Sequence, residues 1–403
     1  MVSPTQADQD ELVDAILQEL STTPYAASSL TQLSGGSTNF VFRGILAHPL
    51  PLPLPSRSEP EPQPDPTTGK TIIVKHSRDH IRGNKNFPLA VSRCIFEQSM
   101  HHALNSFPSP SSNLKVPHHY LFNPRANIQV IEDFPDAVDL KSILVPPSPS
   151  PTTEAILTPT VATCIGHDIG VWLRSFHLWA SAPAQSALRR ELGQNEPMRK
   201  LKRLASYDSF INILENFPET LEGIRKPLEE VRETAAREFN KPATDDGGEY
   251  WGVIHGDFAA CNVLVSDVPS LQTNNPEAPK LVIIDWELAQ VGHWAYDLGQ
   301  MIGDLYEQKH FRQVDSAVWI VRGLVDGYGG LSDELAFRTA IHVGVWLLGW
   351  YNRRHPKLPL KGTPEQIAGI VQLATDVILK AWAKDRTWFE ASVFAPLFGG
   401  TPA

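Results

Sequence analysis

Two short apolar runs, Val253-Ile254 and Val263-Leu264-Val265, bracket the segment His255-Gly256-Asp257-Phe258-Ala259-Ala260-Cys261-Asn262. Runs this short and this apolar read as buried strands, so the polar residues between them form a loop at strand ends, against a core. A third run, Leu281-Val282-Ile283-Ile284, ends on Asp285. A carboxylate at the end of a buried strand is costly unless something satisfies it. The chain must therefore fold so that Asp285 finds a compensating partner.

One chemistry uses this set. Transfer of a phosphoryl group to a hydroxyl needs in-line positioning, charge neutralisation, and a carboxylate that orients the hydroxyl and accepts its proton. Asp257 suits the last task. The Asn262 amide oxygen is a hard donor suited to Mg²⁺, and Asp285, facing a divalent cation that bridges nucleotide phosphates, is the second metal ligand expected. Lys75 ends a β-branched strand, Thr71-Ile72-Ile73-Val74-Lys75, and Glu97 follows on the next helix. A lysine facing phosphates needs a carboxylate to hold it extended, and Glu97 is the best-placed one. Ser34-Gly35-Gly36-Ser37-Thr38-Asn39 precedes the strand Phe40-Val41-Phe42-Arg43; glycines there let backbone N–H groups approach phosphate, and hydroxyls add donors. Each piece alone has an ordinary alternative: a turn, a strand-ending aspartate, a surface ion pair worth under about 1 kcal/mol. Their order along the chain carries the argument.

The remaining sequence frames these pieces. An amphipathic helix is expected over about 7–20, a helix over 88–104, a strand over Asn127–Ile131 and a strong helix over Ile165–Trp179. Helical patterns continue to about 238 and resume from about 293, and Thr363-Pro364-Glu365-Gln366 is a capping-box helix start. Prolines alternate with other residues over 48–70, which excludes ladder or helix. That stretch reads as an exposed polyproline-like loop, a tolerated surface insertion in preference to a partner-binding segment. A second Pro- and Ser-rich loop runs over about 145–153. The expectation is an α+β chain: a small antiparallel-sheet N-terminal lobe over 1–134, a larger and mainly helical lobe over 135–403, and a cleft between them.

Bulk composition narrows the partners. The 403 residues suggest more than one domain. A net charge of −10 argues against a nucleic-acid binder and is compatible with a cationic or neutral substrate. The three cysteines, Cys94, Cys164 and Cys261, are far apart and show neither disulfide nor zinc spacing. The N-terminus lacks a basic start and apolar run, and no stretch of 18 apolar residues occurs, so a cytoplasmic protein without a membrane span is expected.

The order of these motifs resembles the kinase-like superfamily that contains aminoglycoside phosphotransferases, choline kinases and methylthioribose kinases. His255-Gly256-Asp257 to Asn262 is similar to its catalytic loop, Asp285 to its metal-binding aspartate, and Lys75 with Glu97 to its lysine–glutamate pair. Ile131-Glu132-Asp133-Phe134 resembles the hinge whose backbone binds adenine, which implies a nucleotide contact at Glu132 and Phe134. Tyr296-Asp297-Leu298-Gly299 resembles the helix after the metal loop, where Asp297 would brace the catalytic loop. The resemblance covers about 28–350 and implies a protein-kinase-like two-lobed fold using ATP and Mg²⁺ to phosphorylate a hydroxyl of a small molecule. Leu33-Ser34-Gly35-Gly36, Ile73-Val74-Lys75-His76 and Ile284-Asp285-Trp286-Glu287-Leu288 are most similar to fungal specialised-metabolite kinases of the methylthioribose-kinase type, the hydroxytryptamine kinase among them.

The sequence also departs from the protein kinases. The Gly-rich turn is short, the metal motif reads Asp-Trp-Glu, and no A-P-E pattern follows. A protein kinase is thus the weaker alternative, beside a catalytically weak kinase-fold binding protein. Trp286 is expected to pack, with Glu287 a further metal or substrate ligand or not. Trp346 and Trp350, one helical turn apart, are either an aromatic substrate wall or core residues. Asp304 and Glu307 either bind an amine or lie on a solvated helix face. Neither the acceptor nor the choice of ATP over GTP follows from the sequence.

Overall fold

The computed structural model describes residues 6–33, 38–50, 69–82, 84–145, 157–241, 248–266, 268, 279–353 and 360–399. Ser34, Gly35, Gly36 and Ser37 lie outside the described residues, as do 51–68 of the proline-rich stretch and 146–156 of the second loop. The chain divides into two compact units. One comprises Met1–Asn105 with Pro117–Pro135, the other Ser106–Val116 with Asp136–Ala403.

The first unit is built on five antiparallel strands in the spatial order Ala27–Gln32, Phe40–Leu46, Thr71–His76, Ile128–Glu132 and His119–Asn123. Alternation decides which face is buried: Ile72 and Val74 are fully buried, as are Phe40 and Phe42 on the neighbouring strand. The helix Gln6–Leu20 covers this face with Leu12, Ile16 and Leu20. The second helix, Arg93–Leu104, begins later than the sequence pattern predicts, because Asn84–Pro88 pairs with His80–Ile81 as a small hairpin. The pattern missed His119–Asn123 altogether; its side chains are all half-buried, so its alternation is weak.

In the second unit the three apolar runs become strands. Trp251–Ile254 pairs antiparallel with Gln290–His293, and Val263–Ser266 pairs with Lys280–Ile283 in register Val263 to Ile283. Residues Leu114–Lys115, ahead of the boundary read at 134, join this unit by parallel pairing with Lys280–Ile283. Gln290–His293 carries too few apolar residues to read as a strand, and its ladder exists only because Trp251–Ile254 lies beside it. Helices make up most of the rest, including Pro159–Ser181, Ala295–Arg312, Ser316–Gly327, Asp333–Arg353 and Pro364–Trp382. The last begins as expected: the Thr363 side chain accepts from the Gln366 N–H, and the Gln366 side chain accepts from the Thr363 N–H. An antiparallel-sheet N-terminal region and a helical C-terminal region thus give the α+β class expected. No helix among the described residues is long and apolar enough to cross a membrane.

The helix Pro159–Ser181 lies backbone to backbone against Ser316–Gly327. A Cβ added at Gly166 would sit 2.1 Å from the Ile320 carbonyl oxygen, and one at Gly170 would sit 2.2 Å from that of Leu324. The contact is reciprocal, since a Cβ at Gly323 would lie 2.1 Å from the Thr163 carbonyl and one at Gly327 2.1 Å from that of His167. Replacing glycine by alanine in a helix gains about 1 kcal/mol of propensity, but here the methyl meets rigid backbone, and overpacking costs about 1–3 kcal/mol. Gly170→Val, which adds more bulk and no helix propensity comparable to alanine's, is expected to destabilise the protein by about 3 kcal/mol or more, read as a lowered thermal midpoint. An unchanged midpoint would show that the two helices separate freely.

Candidate active site

The loop after Trp251–Ile254 is anchored by a carboxylate on a distant helix. Asp297, fully buried near the start of Ala295–Arg312, accepts the His255 N–H at 2.8 Å on Oδ2 and the Gly256 N–H at 2.9 Å on Oδ1. His177, from Pro159–Ser181, meets Asp297 Oδ2 through Nε2 at 3.2 Å and the Tyr328 hydroxyl through Nδ1 at 2.9 Å. An ionised carboxylate only accepts, so Nε2 carries the proton and Nδ1 accepts from the tyrosine. Burial works against the charge on Asp297, yet hydrogen bonding from His177 and the nearby His255 and Lys202 hold its carboxyl below the usual carboxylate range. Burial pushes the His177 imidazole below its ordinary value against the pull of Asp297.

Within the loop, His255 joins the two predicted motifs. Its Nε2 lies 3.0 Å from the Ile284 carbonyl oxygen, and its Nδ1 accepts the Asp257 N–H at 3.2 Å. The tautomer follows: Nε2–H donates, because a carbonyl cannot. Gly256 adopts a φ of +84°, and a Cβ there would lie 2.1 Å from the Leu288 carbonyl oxygen. Both the left-handed conformation and the close approach therefore require glycine. Beneath the loop, Trp172 stacks on Phe176 and Phe258 with centroids 5.4 and 6.4 Å apart, and Trp286 packs against His255, Trp172 and Phe176. All of these rings are fully buried, so Trp286 has the packing role expected of it.

Asp257, half-buried, is held at both oxygens. Gln300 Nε2 donates to Oδ1, and Asn262 Nδ2 donates to Oδ2 at 3.2 Å and to the Asp257 carbonyl at 2.8 Å. Asn262 thus spends its amide N–H groups on Asp257, which leaves Oδ1 as its free ligand atom. The Ile284 N–H donates to the Asn262 carbonyl oxygen at 3.0 Å, which places the backbone before Asp285 directly beside Asn262. Asp285 itself has φ 71° and ψ 64°, a left-handed conformation that a short polar side chain tolerates and that clusters at functional sites.

The donor chemistry here fits Mg²⁺. No group of three His, Cys, Asp or Glu that could hold a metal occurs among the described residues. An all-protein cage is not what Mg²⁺ requires, since it is commonly held by one or two hard oxygens of the protein with waters and phosphates supplying the rest. Asn262 and Asp285 offer such oxygens.

In the first unit, the Lys75 ammonium donates to Glu97 Oε1 at 2.6 Å, with Lys75 nearly and Glu97 fully buried. The sequence reading missed Gln129, whose Nε2 donates to Glu97 Oε2 at 2.8 Å. Lys75 and Gln129 are direct register partners on adjacent strands, a signal visible only once the pairing is known. Glu132 accepts the His118 N–H at 3.0 Å on its side chain, and its own N–H donates to the His118 carbonyl at 2.8 Å. Phe134 is half-buried just beyond that strand.

Of the two alternatives for Asp304 and Glu307, the solvated face is excluded. Asp304 is not on a solvated face: it is buried, its Oδ1 accepts from Lys141 Nζ at 2.7 Å, and its Oδ2 accepts the Ala260 N–H at 3.1 Å. Glu307, also buried, pairs with Arg353, whose guanidinium lies 4.1 Å over the half-buried Trp346 ring. Trp350 is a core residue against Phe311. The three cysteines are free; Cys94 is buried, and Cys164 and Cys261 are exposed.

The phosphotransferase enzyme family matches residues 155–333, which include His177, Asp257, Asn262, Asp285, Asp297 and Gln300. The chain is 30% identical to the phosphotransferase FrzJ of Cladobotryum sp over 98% of each chain. It is 24% identical to a methylthioribose kinase of Escherichia coli, over 66% of this chain and 62% of that one. A solved structure of the amicoumacin kinase hAmiN, in complex with AMP-PNP, Ca²⁺ and Ami, superposes with a TM-score of 0.48 at 10% identity, covering 93% of this chain and 96% of that chain. The 30% identity to the phosphotransferase FrzJ over the full length, with the family's match lying over the anchored loop, means that the chain belongs to the phosphotransferase enzyme family and is a small-molecule kinase.

Proposed function

We propose that the enzyme transfers the γ-phosphate of ATP to a hydroxyl group of a small molecule, with Asp257 as the carboxylate that takes the hydroxyl proton. The observation that supports this most is the state of Asp257: both carboxylate oxygens are oriented by amide donors, in a loop whose backbone is tied to a buried anion. As the acceptor oxygen bonds to the γ-phosphorus, the bond from that phosphorus to the bridging oxygen breaks, ADP departs, and the hydroxyl proton passes to Asp257. Each carboxylate oxygen has two acceptor sites, so accepting one amide N–H leaves room for the hydroxyl.

Asn262 and Asp285 would hold Mg²⁺, which, when bound, neutralises charge on the phosphates. In the first unit, Lys75, held extended by Glu97, is assigned to the nucleotide phosphates, as is the Ser34-Gly35-Gly36-Ser37 segment. The hinge at Glu132 and Phe134 is assigned to the base. Lys75 and Glu97 are assigned as a pair, the nearly buried ammonium donating to the fully buried carboxylate at 2.6 Å.

Four expected outcomes check this. ADP formation from Mg·ATP, surveyed across amino alcohols, sugars and hydroxylated aromatics, should identify an acceptor. With it, Asp257→Ala should fall by about 10²–10⁴-fold in kcat, the range for a lost proton acceptor; full activity in that variant would end the proposal. Separately, Lys75→Met should raise the KM for ATP or lower kcat by about tenfold or more, while chelation of divalent metal should abolish turnover until Mg²⁺ is restored. Turnover that persists in chelator would remove Asn262 and Asp285 from the scheme.

A further inference from the structure

A buried lysine lies behind Asp257, and no step above uses it. Lys202, on the helix Glu196–Ala205, is almost fully buried, and its ammonium donates to the Gly256 carbonyl oxygen at 2.7 Å and to Gln300 Oε1 at 2.5 Å. Gln300 is itself buried, and its Nε2 is the group that donates to Asp257 Oδ1. A carboxamide has one end that accepts and one that donates. At the Lys202 end the partner is a donor, and at the Asp257 end the partner is a carboxylate that only accepts. The Gln300 amide therefore has a single consistent orientation, set from both sides. Taking an ammonium out of water is costly unless hydrogen-bond partners and opposite charge compensate it, and here both are present. Burial pushes the Lys202 pKa down, while Asp297 and Asp257 pull it up, so the helix carboxylate and the loop carboxylate stabilise the cation where it sits.

We propose that Lys202 is a positioning residue for phosphoryl transfer: it locks the Gln300 amide so that its N–H, and not its carbonyl, faces Asp257. Without the lock, the amide turns over, its carbonyl opposes the carboxylate, and Asp257 rotates away from the position that meets the acceptor. Displacement of about 1 Å at a reacting group costs up to about a hundredfold in rate, so a residue that touches neither substrate is able to govern turnover. This inference rests on the reading of Asp257 as the proton acceptor.

The test is steady-state ADP formation from Mg·ATP with the acceptor found in the survey, for Lys202→Met, Gln300→Leu, the double variant and Asp257→Asn. Lys202→Met should lower kcat about tenfold with the KM for ATP within about twofold, and the double variant should be no slower than Gln300→Leu alone, because Lys202 acts through Gln300. Losses that multiply in the double variant, or an unchanged kcat in Lys202→Met, overturn the proposal and leave the role of Asp257 standing. An Asp257→Asn enzyme as fast as the native one overturns the role of Asp257 instead. Should Lys202→Met fail to fold, Gln300→Glu replaces it. That variant keeps Lys202 paired and Gly256 pinned, yet presents no N–H to Asp257; it should lose kcat to a similar extent, and native kcat in it overturns the proposal.

Discussion

The buried carboxylate of Asp297 is the constraint on which the rest of the site depends. An isolated ion in a protein interior is far more costly than the whole stability of a typical domain. Asp297 is tolerated because two backbone N–H groups of the loop and an imidazole N–H converge on it. The converse also holds: those two N–H groups, at the end of a buried strand, have no ladder partner and would be orphans without it. The anion and the loop therefore exist together or not at all, and the position of Asp257 two residues later follows from that mutual requirement.

Packing makes the anchor rigid. Asp297 is oriented by His177, and His177 stands on the helix that meets Ser316–Gly327 through four glycines. Close backbone contact leaves these helices no slack, so the imidazole does not drift. The same helix carries Trp172 and Phe176, which support Phe258 and Trp286 from below. A second buried carboxylate, Asp304, holds the Ala260 N–H and completes the fastening of the loop to Ala295–Arg312. The polar site is thus assembled on an aromatic floor, where burial excludes water and each hydrogen bond is stronger than it would be at the surface.

Much of the site could be read from the chain alone. Asp257, Asn262 and Asp285 stand at strand ends, a placement that hydrophobic runs reveal directly, and Lys75 with Glu97 pair as expected. Other members left no trace in the sequence. Gln129, Gln300 and Lys202 look like ordinary polar residues of a strand or an amphipathic helix, since periodicity reports which face is apolar but not which polar side chain turns inward to a distant loop. For the same reason the sequence left Asp304 and Glu307 open between an amine site and a solvated face: the cation that pairs with each, Lys141 or Arg353, comes from elsewhere in the chain.

The amino-acid order by itself determined most of the elements, the glycine at 256 and the side-chain chemistry of the candidate site, because these depend on local sterics and on side-chain type. Only the tertiary structure decided which buried groups neutralise one another: Asp297 with the loop N–H groups, Lys202 with Gly256 and Gln300, Glu97 with both Lys75 and Gln129. Those pairings join residues separated by 22 to 98 positions. They are enforced by the cost of leaving a polar group unpaired in the interior, a penalty that is felt only once the chain has closed around it.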